Sequence, residues 1–382
     1  MKRSTAVTIG TVLVWILSQS QAACGETTRY PGILDYRDPE IPPLEEPIVD
    51  NFAGVGARAM GMGGAYAPVA NDFSAVYWNP AGLAQVRKVG IYGGLIPYCK
   101  RETASIFNKE TAATGELTKT WLGSIGIAIP IPTYQGSLVF ALGFNRIKDF
   151  CLNYNVTGYN PTLEFQQEEK VAVEGGIGAW SLAGAIDVSA SVSVGAALNI
   201  WDGENDFSRQ LILRDSKRVH GDSTFSGRFS YSDVYGGTNL KLATLIRGVR
   251  GFKFGITVAS PVTYEVEKTW RDEYTDYVGD VADTTWSEEE YLYTYKVQSP
   301  WSFAFGGSWT CSNLVLAFGA HYTDWKQAQY KVTPTAYVSK EDFRLKYKDV
   351  WRLHFGGEVS VPDTGIRLRA GFYTDPVAYL GP

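Results

Sequence analysis

Apolar residues alternate one by one with polar or small residues along many segments of this chain. The alternation is clear in segments 121–131, 138–145, 191–200, 252–258, 314–322 and 352–361. Successive side chains of a β-strand point to opposite faces, so each segment predicts a strand with one apolar and one polar face. In segment 121–131 we assign Trp121 to the same face as Ile125. Long segments with helical periodicity are absent from the sequence, which favours an all-β fold.

The connections between these strands favour a membrane barrel over a soluble sandwich. Short links at 133–135, 189–190, 246–251, 310–312 and 362–365 alternate with long links at 101–119, 150–168, 215–226, 269–290 and 333–344. Transmembrane barrels have tight turns at one end and long loops at the other. Aromatic rings at strand ends are expected at the lipid headgroups, and those near these ends are Trp201, Trp270, Tyr291, Tyr293, Tyr295, Trp301, Tyr322, Trp325 and Trp351.

The N-terminus indicates export. Lys2 and Arg3 precede the apolar stretch 6–17, and small residues follow up to Ala22, which predicts a signal peptide at 1–22. Cys24 lacks the preceding leucine of a lipoprotein anchor. Residues 23–50 form a proline-rich extension. We therefore predict the bacterial outer membrane as the location, and the net charge of −5 argues against nucleic acid as a partner.

The predicted number of strands is an odd number. We count about eleven strands between Lys88 and Tyr373, within a predicted barrel at 87–382. Bacterial barrels almost always have an even number of strands, because both termini lie in the periplasm. The expectation is that the C-terminal strands of the barrel are missing from this sequence.

Residues 51–86 precede the barrel and do not alternate. They are rich in glycine, at positions 54, 56, 61, 63, 64 and 82. The spacing Gly54-x-Gly56 matches part of the dinucleotide-binding fingerprint, but the sequence around it lacks the βαβ unit that this fingerprint needs. Glycine also permits close backbone approach. The segment is therefore predicted to be a compact plug, which we call the hatch.

The hatch sequence resembles a known family. Segment 56–66, Asn71-Asp72 and the run 78–82, which contains the triplet Asn-Pro-Ala, are similar to the hatch of the FadL/TodX outer-membrane transporters. Later segments at 300–302, 322–325, 347–352 and 369–376 resemble that family as well. The resemblance implies a fourteen-stranded transmembrane antiparallel β-barrel whose lumen is plugged by the hatch. It also implies a monomer in contact with outer-membrane lipid and lipopolysaccharide, with no enzymatic activity and no cofactor.

The resemblance further implies passive transport of hydrophobic small molecules, with long-chain fatty acids as the expected substrate. In the family, ligands pass from outer loops to a lumen pocket, and hatch movement opens the wall at a kink in the third strand. That strand is 136–149 here, with Gly143, Asn145 and Arg146 as candidates for the opening. The hatch residues carried over are Gly61, Gly63, Gly64, Asn71, Asp72, Asn79, Pro80 and Ala81.

A bound fatty acid is expected to pair its carboxylate head group with a cationic side chain of the protein. The alternation places Arg352, His354, Arg367 and Arg369 on the inner face, and Lys331 is a further candidate at a strand end. The alternative is that these residues pair with Glu358 and other acids of a polar lumen. The acidic segment 202–206 lies where a basic residue is expected, which puts the substrate in doubt.

Other functions have less support in the sequence. The three histidines are scattered, so no metal site is predicted. A hydrolase would start from His354 with Glu358. A second alternative within the same fold is a partner-binding role in protein secretion, as in proteins of the PorV type. A Cys99–Cys151 bridge and free thiols both remain open.

Overall fold

The structure of this chain is a computed structural model that describes residues 54–104, 113–160, 164–217, 223–278, 281–287, 291–334 and 342–380. The predicted signal peptide at 1–22, the extension at 23–50 and the first three residues of the predicted hatch lie outside the described residues.

The described residues form one antiparallel sheet. Its strands are β1 (Gly90–Ala104), β2 (Ala113–Ile131), β3 (Leu138–Asp149), β4 (Leu152–Asn160), β5 (Phe165–Asp187), β6 (Val192–Arg214), β7 (Ser223–Arg247), β8 (Phe252–Ala259), β9 (Thr263–Val278), β10 (Val281–Ser287), β11 (Tyr291–Gln298), β12 (Ser302–Cys311), β13 (Leu314–Asp324), β14 (Gln329–Val332), β15 (Asp349–Ser360) and β16 (Arg367–Tyr373). Once strands that continue one another are joined, neighbours in the sheet are also neighbours along the chain, as in an up-and-down barrel wall.

Several strands continue one another across short interruptions. β3 runs on into β4, β8 into β9, β10 through β11 into β12, and β13 into β14, which merges the strands into an ordered path of eleven. The predicted all-β antiparallel architecture and the count of about eleven are confirmed. Among the described residues, β1 pairs only with β2 and β16 only with β15, so the sheet is open between them.

Short helices account for the remaining regular structure. The α-helices are α1 (Ala57–Gly61), α2 (Ala75–Trp78) and α3 (Asp342–Lys346), and 3₁₀ turns occur at Pro80–Gln85, Val249–Gly251 and Trp325–Gln327. Within the described ranges, no helix has the length and apolar character needed to span a bilayer.

The outer face of the sheet is apolar and uncovered. In β15, Leu353, Phe355 and Val359 are exposed, whereas Arg352 and Glu358 are buried on the inner face, as the alternation predicts. The same holds around the wall, where the exposed side chains include Ile125, Phe140, Leu142, Leu182, Leu198, Leu242, Phe254, Ile256, Phe303, Phe305, Leu316 and Phe318. A continuous apolar outer surface is the surface that lipid requires of a barrel.

One face assignment is wrong. The register of β1 against β2 shifts between Gly94 and Leu95, opposite Gly123. A residue inserted into a strand reverses the faces that follow it. Leu122 is therefore exposed on the outer face, and the Trp121 ring lies beside the Arg146 guanidinium on the inner side.

The strands are longer than a membrane requires. β6 has 23 residues and β7 has 25, whereas about 9–11 residues span a bilayer. Much of what the sequence analysis assigned to long loops is therefore β-ladder that extends the wall at one end of the barrel, which we call the hairpin end. Asp202, Glu204 and Asp206 are exposed on the outer face of β6, so this acidic segment does not line the lumen.

Two hydrophobic cores fill the inside of the sheet. The first is the hatch core, formed by residues of 59–86 together with small inner-face residues such as Ala128, Ala141 and Ala183. The second lies toward the hairpin end, and we call it the aromatic cap; its buried members are Ile177, Tyr235, Val262, Tyr264, Val266, Tyr295, Val297, Trp325, Ala328, Tyr330, Phe343, Tyr347, Val350 and Ala378.

The aromatic cap corrects the prediction for several rings. Tyr295 and Trp325 were expected at the lipid headgroups, but their side chains are buried in the cap. Trp201 packs against the cap and donates its indole N–H to Asn239 Oδ1 at 2.9 Å. Trp301 and Trp351 do lie exposed on the outer face. The position of a ring at a strand end does not show whether it faces lipid or the lumen. The strand interruptions at 260–262, 299–301 and 325–328 change which residues point inward and which point outward.

Candidate functional site

The asparagine of the Asn-Pro-Ala triplet joins separate parts of the hatch by hydrogen bonds. Asn79 is fully buried, and its Oδ1 accepts a hydrogen bond from the Ala81 backbone N–H at 3.0 Å, which caps the turn Pro80–Gln85. Its Nδ2 donates to Ala67 O at 2.9 Å and to Thr244 O of β7 at 3.3 Å. A buried amide with three backbone partners fixes the turn to both the hatch and the wall.

A second polar cluster lies in the middle of the hatch segment. Asp72 accepts hydrogen bonds from the Tyr66 hydroxyl at 2.8 Å and from the Ser74 backbone N–H at 3.0 Å. Burial raises the pKa of the Tyr66 phenol, which keeps it protonated as a donor. Asn71 Oδ1 accepts from Arg58 Nη1 at 2.6 Å. Both Asn71 and Asp72 thus hold the hatch in shape.

Arg58 joins this cluster to the wall. Its Nε and Nη2 each lie 2.9 Å from a carboxylate oxygen of Glu358 on β15. Glu358 also accepts from Arg369 Nε on β16 at 2.6 Å. We call this three-residue group the hatch latch. Sequence reasoning missed Arg58, although a basic residue in a buried glycine-rich segment was a usable signal.

The hatch backbone also touches the wall directly at glycines. A Cβ at Gly356 would collide with the Met62 carbonyl group, and one at Gly371 with the Gly63 backbone. Gly63 itself has φ +60° and lies against the backbones of Phe355 and Phe372, so it needs to be glycine for both reasons. The Gly61 Cα faces the Arg369 side chain. Gly64 lines a cavity on the inner side of the sheet.

The predicted head-group residues are mostly engaged. Arg369 pairs with Glu358, and Arg352 Nε donates to Asp375 at 2.7 Å. His354 Nδ1 lies 2.9 Å from Gly63 O of the hatch. Arg367 and Lys331 are exposed on the described structure. The geometry thus matches the alternative in which lumen cations pair with lumen acids, and it leaves the hydrolase candidates His354 and Glu358 occupied by other contacts.

A cavity separates the hatch core from the aromatic cap. Its volume is about 150 Å³. Hatch residues Tyr77 and Trp78 lie on one side and cap residues Tyr264 and Trp325 on the other. A mainly apolar and aromatic wall with a few polar groups is typical of a small-molecule site.

Lys241 and Lys148 both line this cavity, and Lys241 has the better defined contacts with the hatch. Lys241 lies on β7 between Leu240 and Leu242, which are exposed on the outer face. Its Nζ donates to Tyr77 O at 2.5 Å and lies 4.8 Å from the centre of the Tyr77 ring. Within the described residues it forms no ion pair with a carboxylate. Sequence reasoning missed Lys241, although a lysine inside an alternating strand is a known functional signal.

The wall has an unpaired window beside the cavity. The β2–β3 ladder ends at Ser124 opposite Asn145, and β3 is bulged against β5 between Arg146 and Lys148. Beyond this point no β2–β4 ladder forms in the described residues. The cavity reaches the bulge, since Ile147 and Lys148 line it. Two of the predicted opening residues, Asn145 and Arg146, therefore lie at the edge of the window.

Two contacts fill this window. The Arg146 guanidinium carbon lies 4.3 Å from the centre of the Trp121 ring. Lys119 Nζ on β2 reaches Glu174 Oε1 on β5 at 2.6 Å, and so spans the β3–β4 junction. Gly143, the third predicted opening residue, lies lower on β3, where a Cβ would meet the Phe73 ring of the hatch and the backbone of β2.

The cysteines and possible metal ligands show no assembled site. In the described part of the chain, Cys99, Cys151 and Cys311 are free thiols, so the Cys99–Cys151 bridge does not form in this structure. No group of three or more metal-ligating side chains occurs within the described residues.

Several solved structures share this fold. A Pseudomonas putida toluene transporter, TodX, aligns with a TM-score of 0.55 and 12% identity over 86% of this chain and 84% of that one. A Pseudomonas aeruginosa FadL homologue aligns at 0.53 and 15% over 86% and 82%, and the CymD monoaromatic hydrocarbon channel at 0.52 and 15% over 86% and 85%. No family model and no curated protein matches the sequence. The chain therefore has the barrel-and-hatch fold of these structures.

Proposed function

We propose that this chain, which has the fold of the hydrophobic-compound channels, carries hydrophobic small molecules passively across the bacterial outer membrane. The observation that carries the proposal is the cavity, which lies between two hydrophobic cores and contains a lysine with no acidic partner among the described residues. A solute that leaves water for this cavity gains about 25 cal/mol per Å² of apolar surface buried. This route requires no catalysis.

The path has three parts. The hairpin end faces the outside of the cell, and the solute reaches the cavity by displacing rings of the aromatic cap. It rests on Tyr77 and Trp78 of the hatch. It leaves sideways into the membrane through the window between β2 and the β3–β4 junction, once the Lys119–Glu174 ion pair and the Trp121–Arg146 contact separate.

The ligand carries an anionic head group. Lys241 has no acid beside it in the described structure, and a carboxylate would supply the missing partner in a surrounding of low polarity. Long-chain fatty acids meet this requirement and remain the first substrates to test. A cavity of about 150 Å³ holds one benzene ring in other proteins. A long acyl chain would therefore place only its head-group end in the cavity, with its tail in the window.

Uptake tests this proposal directly. We expect cells that lack their own fatty acid transporter to take up labelled oleate when they make this chain in their outer membrane. Lys241→Met keeps an unbranched side chain that is one atom shorter and carries no charge, and it should reduce uptake at least tenfold. Leu240→Met, on the outer face next to it, is the matched control and should leave uptake unchanged.

Other outcomes would change the assignment. Toluene uptake without oleate uptake would assign an uncharged substrate and remove the role of Lys241. Background uptake of both compounds by correctly located protein would contradict transport of simple fatty acids and hydrocarbons. Stable co-purification with other envelope proteins and a lumen without ligand would then favour the partner-binding role in secretion.

A further inference from the structure

Lys241 is a polar group on one side of the cavity, and a second set of polar side chains lines the cavity on β12 and β13. Ser302 Oγ at the start of β12 lies 2.7 Å from His321 Nε2 on β13, and both residues line the cavity. Thr323 lines the cavity next to them and pairs with Ser302 in the ladder. Its hydroxyl makes no hydrogen bond in the described structure. Transport of a plain hydrocarbon or a simple fatty acid does not use these groups.

The Ser302–His321 pair keeps hydrogen-bonding capacity for a ligand. A serine hydroxyl has one donor and two acceptor positions, and a histidine Nε2 uses only one of them. If Nε2 is protonated, the Ser302 O–H is left to donate; if it is not, the oxygen is left to accept. A ligand hydroxyl can donate and accept, so it fits either tautomer.

The two polar sides lie in one row across the wall. Lys241 pairs with Ala259 of β8, and Ala259 pairs in turn with Ser302 of β12. Residues directly opposite each other share a face, so Lys241 and Ser302 both point inward. Neighbouring strands are about 4.8 Å apart, which separates the two backbone positions by about 10 Å. The rings of Tyr77, Trp78 and Tyr264 line the same cavity.

We propose that the ligand of this cavity is bifunctional: a small amphipathic acid, with an aromatic body, that carries a hydroxyl group at the end opposite its carboxylate. The carboxylate pairs with Lys241, and the hydroxyl binds Ser302 and Thr323. This inference rests on the proposed transport function and narrows its substrate class to hydroxylated aromatic acids. A site that hydrogen-bonds a hydroxyl discriminates against the analogue without it, because its polar groups are then left unpaired.

A pair of probes that differ by one hydroxyl tests the inference. We would measure binding of benzoate and 4-hydroxybenzoate, in which both polar groups are attached directly to one benzene ring, to the purified full chain by calorimetry. The expected result is about tenfold tighter binding of the hydroxylated acid, which corresponds to one net hydrogen bond. In Ser302→Ala combined with Thr323→Val, the two acids should bind with equal affinity. Ser308→Ala, on the inner face of β12 but outside the cavity, should retain the tenfold preference.

Each other result has a defined meaning. Equal affinity of the two acids for the unchanged chain, or a preference that survives the double variant, overturns the inference. The inference also fails if neither acid binds although cells take up oleate, and transport then stands. If neither acid binds and neither oleate nor toluene is taken up, the proposed transport function fails as well.

Discussion

Arg58 in the hatch and Glu358 in β15 form a two-point ion pair, with both nitrogen–oxygen distances at 2.9 Å. The two residues are 300 positions apart in the sequence. The Glu358 side chain is only 4% exposed and that of Arg58 is 19% exposed. Because Arg369 of β16 binds the same carboxylate, the hatch is held by charge to the last two strands of the described wall.

Replacement of Glu358 should loosen the hatch. In Glu358→Gln the two arginines lose their shared charge partner, and we expect a loss of about 2 kcal/mol in unfolding free energy, less than for a fully buried pair because Arg58 reaches solvent. Urea unfolding in detergent, followed by tryptophan fluorescence, measures this change. Asp349→Asn, which removes the exposed ion pair with Lys326, should have no measurable effect. Equal effects of both variants would show that the latch contributes no more than a surface pair.

Two adjacent glycines of β15 should differ in their tolerance of a side chain. Gly356→Ala places a methyl group against the Met62 carbonyl of the hatch. A methyl group at Gly357 would meet Leu316 Cδ2 at 3.5 Å and Val315 O at 3.7 Å, which are ordinary contact distances. Overpacking of this kind costs about 1–3 kcal/mol. We expect that loss for Gly356→Ala and almost none for Gly357→Ala in the same unfolding assay. A stable Gly356→Ala protein with a protease-resistant hatch would contradict the observed packing.

Asn79 should be the most sensitive polar residue of the hatch. Asn79→Ala removes three hydrogen bonds at a fully buried position, at a cost of about 3 kcal/mol at roughly 1 kcal/mol each. Asn71→Ala, at an exposed position with one bond to Arg58, should cost much less. Thermal unfolding of both variants decides the order, and the reverse order would refute the assignment.

The Lys119–Glu174 ion pair should slow lateral release. A partly exposed pair is worth at most about 1 kcal/mol, so Glu174→Gln should increase the rate of substrate uptake by no more than about fivefold. The control is Glu168→Gln on the same strand, where the partner is Lys170 and the window is not involved. Unchanged uptake in Glu174→Gln would remove this pair from the release step.

Much of the wall could be predicted from the sequence because a strand alternates with a fixed period of two. The inner position of Arg352 and Glu358 follows from parity alone. The prediction failed at Trp121, where an extra residue at Gly123 shifts the register, and at Trp325, the first residue of the strand interruption at 325–328. Such local insertions depend on the pairing between strands, which the residues of one strand do not reveal.

The candidate site was less accessible to sequence analysis. The hatch segment was identified through its glycines and its Asn-Pro-Ala triplet, but the contact of Arg58 with Glu358 joins distant segments. Lys241 and Ser302 come together only because β7, β8 and β12 are neighbours in the sheet. The sequence analysis sought cations on β15 and β16, where nearby acids neutralise Arg352 and Arg369.

The position of the cavity between two packed cores limits what else can pass through the proposed channel. In the described part of the chain, water and dissolved ions meet the buried rings of the aromatic cap toward one end and the buried side chains of the hatch toward the other. An apolar solute can separate the rings of the aromatic cap because its own contacts replace the contacts that it breaks. A hydrated ion makes no apolar contacts that could replace them. A bacterium could therefore hold many copies of this protein without leaking salts or admitting polar toxins.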